Sequence, residues 1–234
     1  MSKGTVLIEK MRGFLLDLLF PPRCVGCGRK GIWLCARCAS EIELIRPPIC
    51  TLCGRPVAED GLCFFCRSDP PPIDGMRSVA YFEGVMRKAI HSFKYKNLQA
   101  LAIPLGEMMG DYWRRTPLPT DVIVPVPLHP HRLRERGYNQ AALLAKELGK
   151  RIGLPVVGSL VRVRETAPQV GLSARERQEN VKEAFRCLDD SLVGRRVLLV
   201  DDVCTTGATL AACSVALRGG SARSVWALTL ARPR

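Results

Sequence analysis

The residues whose order most directly suggests chemistry lie in RVLLVDDVCTTGATL, residues 196–210. Two adjacent carboxylates, Asp201 and Asp202, close an apolar run of strand character in an otherwise basic chain. Neighbouring acids at the mouth of a buried strand repel each other and lose hydration, so placing them there calls for a compensating ligand. Thr205, Thr206, Gly207, Ala208 and Thr209 follow, and a helical pattern begins behind them. Hydroxyls and open amides at a helix N-terminus suit an anion, and Gly207 lets the backbone approach it closely. The carboxylates cannot hold that anion, but they can accept hydrogen bonds from vicinal hydroxyls. Phosphate plus diol at one loop describes a ribose 5-phosphate group. The pattern G-x-x-x-x-G-K-[ST] does not occur, which disfavours nucleoside triphosphate hydrolysis.

A second chemistry is written in cysteine. Of the 11 cysteines, eight fall in four C-x-x-C pairs: Cys24 and Cys27, Cys35 and Cys38, Cys50 and Cys53, Cys63 and Cys66. Four such knuckles supply two sets of four sulfur ligands, the number that tetrahedral zinc requires. Sequential pairing is expected, the first two knuckles on one Zn2+ and the last two on another, because each short hairpin can close locally. A disulfide framework fits poorly without a secretory signal, and one redox pair would not need four evenly spaced copies. The module reads either as a scaffold that folds around its metal or as a nucleic-acid grip. In the second reading Arg23, Arg29, Lys30, Arg37, Arg46 and Arg55 meet phosphates, while Trp33, Phe64 and Phe65 stack on unpaired bases. Those aromatics could equally be the module's core.

The elements that must position these groups follow from the rest of the 234-residue chain. RSDPPPID, Arg67 to Asp74, is a stiff spacer that marks a boundary. The expected division is an N-terminal helix and double zinc-ribbon domain over 1–70, a linker over 71–76, and an α/β domain over 77–234. In the latter, strands are expected at Arg77 to Phe82, Asp121 to Pro127, Leu160 to Val163, Ala184 to Leu188, Arg196 to Val200 and through SVWALTLA. Helices are expected from Val85 to Phe93, Leu98 to Arg115, onward from Asn139, and Thr206 to Arg218. Such alternation argues for a mostly parallel sheet flanked by helices. In that fold ligands bind beyond the carboxyl ends of strands, so the loops after DVIVPVP and RVLLVDD should face one site.

The formal net charge is +13, which invites a polyanionic or phosphorylated partner. Two zinc ions on eight thiolates would lower it to about +9, still strongly basic. No run is long and apolar enough to span a bilayer, and the N-terminal MRGFLLDLLFPPRC, interrupted by Asp17, reads as a short amphipathic helix ended by Pro21 and Pro22. A cytoplasmic protein with reduced thiols is expected.

The run from the apolar strand through both acids to T-T-G-x-T strongly resembles the phosphoribosyl pyrophosphate signature of type I phosphoribosyltransferases. The fold that resemblance implies is a type I phosphoribosyltransferase-like parallel sheet. By it Asp201 and Asp202 bind the ribose 2- and 3-hydroxyls, and Thr205 to Thr209 form the 5-phosphate loop. PVPLHPHRLRERGYNQAALLA, FKYKN and RETAPQVGLSARERQENVKEAF, with the cysteine module in front, are similar to the ComF family associated with competence for DNA uptake. The resemblance covers almost the whole chain. It implies binding of phosphoribosyl pyrophosphate with Mg2+, single-stranded DNA as a partner, and contact with other uptake proteins such as a helicase.

In related transferases the loop after the DVIVPVP strand contacts pyrophosphate, a position held here by Pro127 to His129. Arg132, Arg134, Arg136 and Asn139 follow; a guanidinium suits a diphosphate, and Arg136 and Asn139 are favoured. Lys94 and Lys96 could each neutralise a phosphate, and the resemblance favours Lys96. The segment from Arg164 to Asn180, with Gln169, Arg175, Arg177 and Asn180, has the length and polarity of a mobile lid. Cys204, beside the phosphate amides, invites a lowered thiol pKa but receives no duty. A transferase would position the activated ribose and stabilise charge as pyrophosphate departs. The acceptor is not named by any residue. With the sequence running to LARPR soon after its last strand, a cover over the base is expected from residues 77–115 or from the zinc module. The alternative is a non-catalytic single-stranded DNA binding protein that uses the pocket as a ligand sensor.

Overall fold

A computed structural model describes residues 21–164 and 183–234. The expected N-terminal helix and the segment bearing Gln169, Arg175, Arg177 and Asn180 lie outside the described residues.

Strands β1 (Gly75–Tyr81), β2 (Val122–Pro125), β5 (Arg196–Val203) and β6 (Ser224–Arg232) form a wholly parallel sheet in the order β1-β6-β5-β2. Strand β5 is central and fully buried from Val197 to Val200, as expected for a parallel strand covered on both faces. Its alternating side chains feed two cores. Leu198 and Val200 face a core built with α3 (Gly84–Tyr95), α4 (Ala102–Arg115) and α6 (Gln140–Ile152). Val197 and Leu199 face the other, built with α7 (Ala208–Gly219) and the hairpin of β3 (Leu160–Arg162) and β4 (Phe185–Cys187).

Sequence alternation located these strands to within a few residues but did not separate β3 and β4 from the main sheet. They pair antiparallel with each other, Val161 opposite Arg186. Only Leu160 and Phe185 of the six residues are buried, so the hairpin packs by one face and could not sit inside a doubly covered sheet. Two further helices escaped prediction because they are too short to show periodicity. They are the knuckle helices α1 (Ala36–Ser40) and α2 (Phe64–Ser68). A third, α5 (Pro130–Arg136), begins with proline at its first position and stops at Gly137 in the left-handed region, φ 75°.

The cysteine module is built onto the edge of the sheet. The N–H of Ile45 donates to Val79 O and that of Tyr81 to Glu43 O, so residues 43–45 pair along β1 and cover its otherwise open edge. Leu34, Cys35, Cys38 and Ile42 of the first ribbon share a core with Val79, Val85, Met86 and Phe93. The second ribbon is fastened by the Met76 N–H to Leu52 O (2.7 Å) and by the Arg232 guanidinium to Cys53 O (2.6 Å). Gly54 is required there, at φ 68° and with the Met76 carbonyl 2.3 Å from where a Cβ would stand.

Candidate functional site

Hydrogen bonding between β2 and β5 sets Pro125 against Val200, and the Val126 N–H donates to Val200 O at 2.9 Å. The loops that follow the two strands therefore leave the sheet side by side, at its carboxyl end.

Asp201 and Asp202 extend the two registers of β5 in opposite directions. Asp202 follows Leu198 and Val200 toward α3, where it is 6% exposed and ion-paired with Lys94 at 2.6 Å. Burial works against the Lys94 charge, yet the carboxylates of Asp202 and Asp201 outweigh it and hold the amine above the ordinary lysine pKa, opposed by Arg136. Asp201 follows Val197 and Leu199 toward α7 and accepts the Asp202 N–H at 2.8 Å. Loss of hydration, then the charge of Asp202, push its carboxyl up to about 7 against the pull of Lys94 and of Arg162 on β3. One carboxylate is thus already neutralised by a protein cation, while the other is poised to release its proton to water when a cation or a hydrogen-bond donor arrives beside it.

Beyond β5, residues 203–207 turn into α7 through Gly207 in the left-handed region, φ 86°. A Cβ at Gly207 would stand 2.9 Å from the Met76 sulfur, so the loop lies tightly on β1. The Thr206 hydroxyl accepts the Ala208 N–H at 3.3 Å, ahead of the Gly207 N-cap. Asp201, Thr205, Gly207, Ala208 and Thr209 together enclose a small cavity of about 30 Å³ at the N-terminus of the 12-residue α7, where backbone dipoles favour an anion. Cys204 lines it too, but burial pushes its thiol up to about 11 despite nearby Arg232, so the lowered pKa its position invites is not found.

The other residues singled out from sequence stand around this centre. Arg136 ends α5, donates to Gln140 Oε1 at 3.1 Å and lies 5.2 Å from the ring of Tyr95, on the Lys94 side of the site. Asn139 caps α6 by accepting the Ala141 N–H and ties down the loop after β2 by donating to Val126 O, each at 3.0 Å. Lys96 is exposed at the C-cap of α3, away from Asp202, whereas Lys94 one turn past Ile90 faces inward. The helical spacing Met86, Ile90, Lys94 carries the signal that Lys94 turns inward, because the first two are fully buried.

The eight knuckle thiols segregate in chain order. Cys24, Cys27, Cys35 and Cys38 form one group and Cys50, Cys53, Cys63 and Cys66 the other, the ligand atoms of each within 4.8 Å of one another. Burial opposes ionisation of Cys24 and Cys50, but backbone N–H donors bring both down to about 6; burial pushes Cys38 and Cys66 up. Four sulfurs so placed cannot all ionise without a cation among them, and a tetrahedral zinc ion supplies it.

Comparison with known proteins decides the family. The Double zinc ribbon domain family matches residues 15–67. The chain is 34% identical to Competence protein F of Haemophilus influenzae over 226 residues, 89% of this chain and 97% of that protein. The chain belongs to the ComF family. Another ComF relative, DNA utilization protein YhgH of Salmonella typhi, is 36% identical over 83% of this chain and 89% of its own length. Among solved structures, the glutamine phosphoribosylpyrophosphate amidotransferase of B. subtilis, complexed with ADP and GMP, aligns with 56% of the chain and 26% of its own. That alignment has 20% identity and a TM-score of 0.40. No helix among the described residues of this ComF chain is long and apolar enough to cross a membrane.

Proposed function

We propose that the chain binds phosphoribosyl pyrophosphate with Mg2+ at the carboxyl end of β5 and acts on single-stranded DNA during uptake and utilization. The observation that carries the reading is the small cavity at the start of α7, walled by Thr205, Gly207, Ala208 and Thr209 and shared with the Asp201 carboxyl. A 5-phosphate there leaves the ribose over the end of β5, with its hydroxyls within the province of Asp201 and Asp202. The names of the ComF relatives, competence and DNA utilization, supply the process.

Asp201 and Asp202 are the oxygen donors suited to a hard cation, and magnesium bound with the diphosphate would neutralise its charge. Arg136 and Lys94 extend positive charge along the same side, where the pyrophosphate arm would lie. Asn139 serves by holding the β2 loop rather than by touching the ligand.

Isothermal titration of the zinc-loaded chain with phosphoribosyl pyrophosphate and Mg2+ tests this reading. Saturable heat is expected from the parent, lost on changing both Asp201→Asn and Asp202→Asn while the circular dichroism stays native. Equal binding by parent and variant would overturn the assignment. Pyrophosphate release in the presence of bases or DNA ends separates a transferase from a ligand sensor that binds without turnover. A salt titration of single-stranded DNA binding tests the second arm, because phosphate contacts predict affinity falling steeply as salt rises.

A further inference from the structure

The two ribbons expose their aromatics differently. Trp33 of the first ribbon packs against the α3 core, so it is spent on structure. Phe64 and Phe65 of the second ribbon are 77% and 60% exposed, in edge contact at 5.8 Å between ring centres. The Arg55 guanidinium lies 4.8 Å from the Phe65 ring centre. Two adjacent, largely exposed phenyl rings with a cation over one of them form no part of the buried core and present flat π-faces to solvent.

These rings do not face open solvent on all sides. They line a cavity of about 700 Å³ together with Thr206, Gly207, Ala208 and Ala211 and with Met76 and Arg232. A second cavity of about 750 Å³ continues from it along α7 to Val163, Phe185 and Arg186 of the β3–β4 hairpin, and the two share Pro72, Ala208 and Ala211. The result is one trough that starts on the second ribbon, passes residues 204–208 and runs along α7. Among the described residues, Arg55 and Arg186 are its accessible cations and Asp69 and Glu183 its acids, while Arg232 is buried and bonded to Cys53 O.

We propose that this trough is the path of single-stranded DNA, with unpaired bases stacked singly on Phe64 and on the face of Phe65 that Arg55 leaves open, and the next nucleotides laid along α7 past Ala211. The inference rests on the single-strand reading above and adds where the strand lies. Base stacking on aromatics tolerates any sequence because every base has a π-face, and arginine over the ring adds cation–π attraction. A continuous trough suits a linear polymer better than a compact free base, which one cavity would hold. Because Cys204, Gly207 and Ala208 line both the trough and the small cavity, a strand in the trough passes within one loop thickness of the bound sugar phosphate.

Fluorescence anisotropy of labelled oligodeoxythymidylate with the zinc-loaded full chain tests it. The parent binds the oligonucleotide, and the double variant Phe64→Ala, Phe65→Ala binds at least ten-fold more weakly. The variant Phe64→Tyr, Phe65→Tyr binds like the parent, and zinc content and melting temperature serve as checks on all of them. Ala211→Glu, which places an acid in the α7 wall, also weakens binding at least ten-fold. Arg87→Ala with Lys88→Ala, exposed on α3 and lining neither cavity, costs less than three-fold. A parent that does not bind the oligonucleotide at all overturns the single-strand reading and this inference together. A parent that binds, with the double phenylalanine variant within two-fold of it, overturns the stacking site alone. Loss in that variant with Ala211→Glu unaffected overturns the trough. Equal affinity for duplex DNA, or loss of a self-associated species in sedimentation with oligonucleotide affinity unchanged, overturns it in favour of another occupant.

Discussion

Lys94 on α3 reaches Asp202 at the end of β5 in a 2.6 Å ion pair, although 108 positions separate them in the chain (202 minus 94). The contact joins the helix after β1 to the strand that carries the candidate site, and the paired carboxylate is almost fully enclosed. Removing one partner leaves a buried charge without its counterion, which costs more than the pair contributes net. Lys94→Met is expected to destabilise the chain by about 3 kcal/mol in urea unfolding, and adding Asp202→Asn should restore at least half of that. Additive losses in the double-mutant cycle would show that the pair is not coupled.

Asp201 carries a pH signature. Its carboxyl titrates at about 7 in the folded chain against an ordinary value of 3.8, so the folded state holds the proton more tightly than the unfolded state. Stability from this group is therefore present below pH 4, declines as pH rises from 4 to 7, and is flat above. Asp202, Lys94 and Arg162 face it and do not reverse the sign. Asp201→Asn should raise the melting temperature at pH 8 by at least about 2 °C and leave it unchanged at pH 4. The difference between parent and variant, followed across pH, isolates this effect from the acid lability of the zinc ligands.

Gly207→Ala tests the loop geometry. The residue sits at φ 86°, and the added methyl would meet the Met76 side chain at 2.9 Å. Met76 can shift its thioether, but the backbone cannot keep its angle without strain. A loss of about 1 kcal/mol in stability is expected, with a larger fractional loss of sugar-phosphate affinity because the amides at the head of α7 are displaced. Unchanged affinity would mean that these amides do not hold the ligand.

Chelation of zinc should reach beyond the ribbons. The first ribbon shares a core with α3, and residues 43–45 cover the β1 edge, so loss of metal exposes apolar surface of the α/β domain. Chelation or Cys35→Ser is expected to lower the melting temperature of the whole chain and to raise binding of a hydrophobic dye. An α/β transition unmoved by chelation would show that the two parts fold independently.

Local pattern carried much of this structure. The apolar strand, the twin acids, the threonine–glycine turn and the sequential pairing of the knuckles are each specified within a dozen or so residues, and each appears where spacing put it. The helix expected onward from Asn139 is present, with Asn139 as its cap and Gln140 as its first residue. What the sequence could not show depends on register and distance. That Asp201 and Asp202 diverge follows from strand alternation, but their partners, Arg162 and Lys94, come from separate elements brought near only by the sheet order. The exposure of Phe64 and Phe65 likewise depends on Arg232 and Met76 fastening the second ribbon with one face inward, which no local pattern encodes.

The most direct test of the sugar-phosphate site is a crystal structure of the zinc-loaded chain grown with phosphoribosyl pyrophosphate and Mg2+ at saturating concentration. The account predicts the 5-phosphate within the turn of residues 205–209 at the head of α7 and the ribose hydroxyls toward Asp201. Ligand density at any other place, or an empty loop in crystals whose solution titration is saturated, would contradict it.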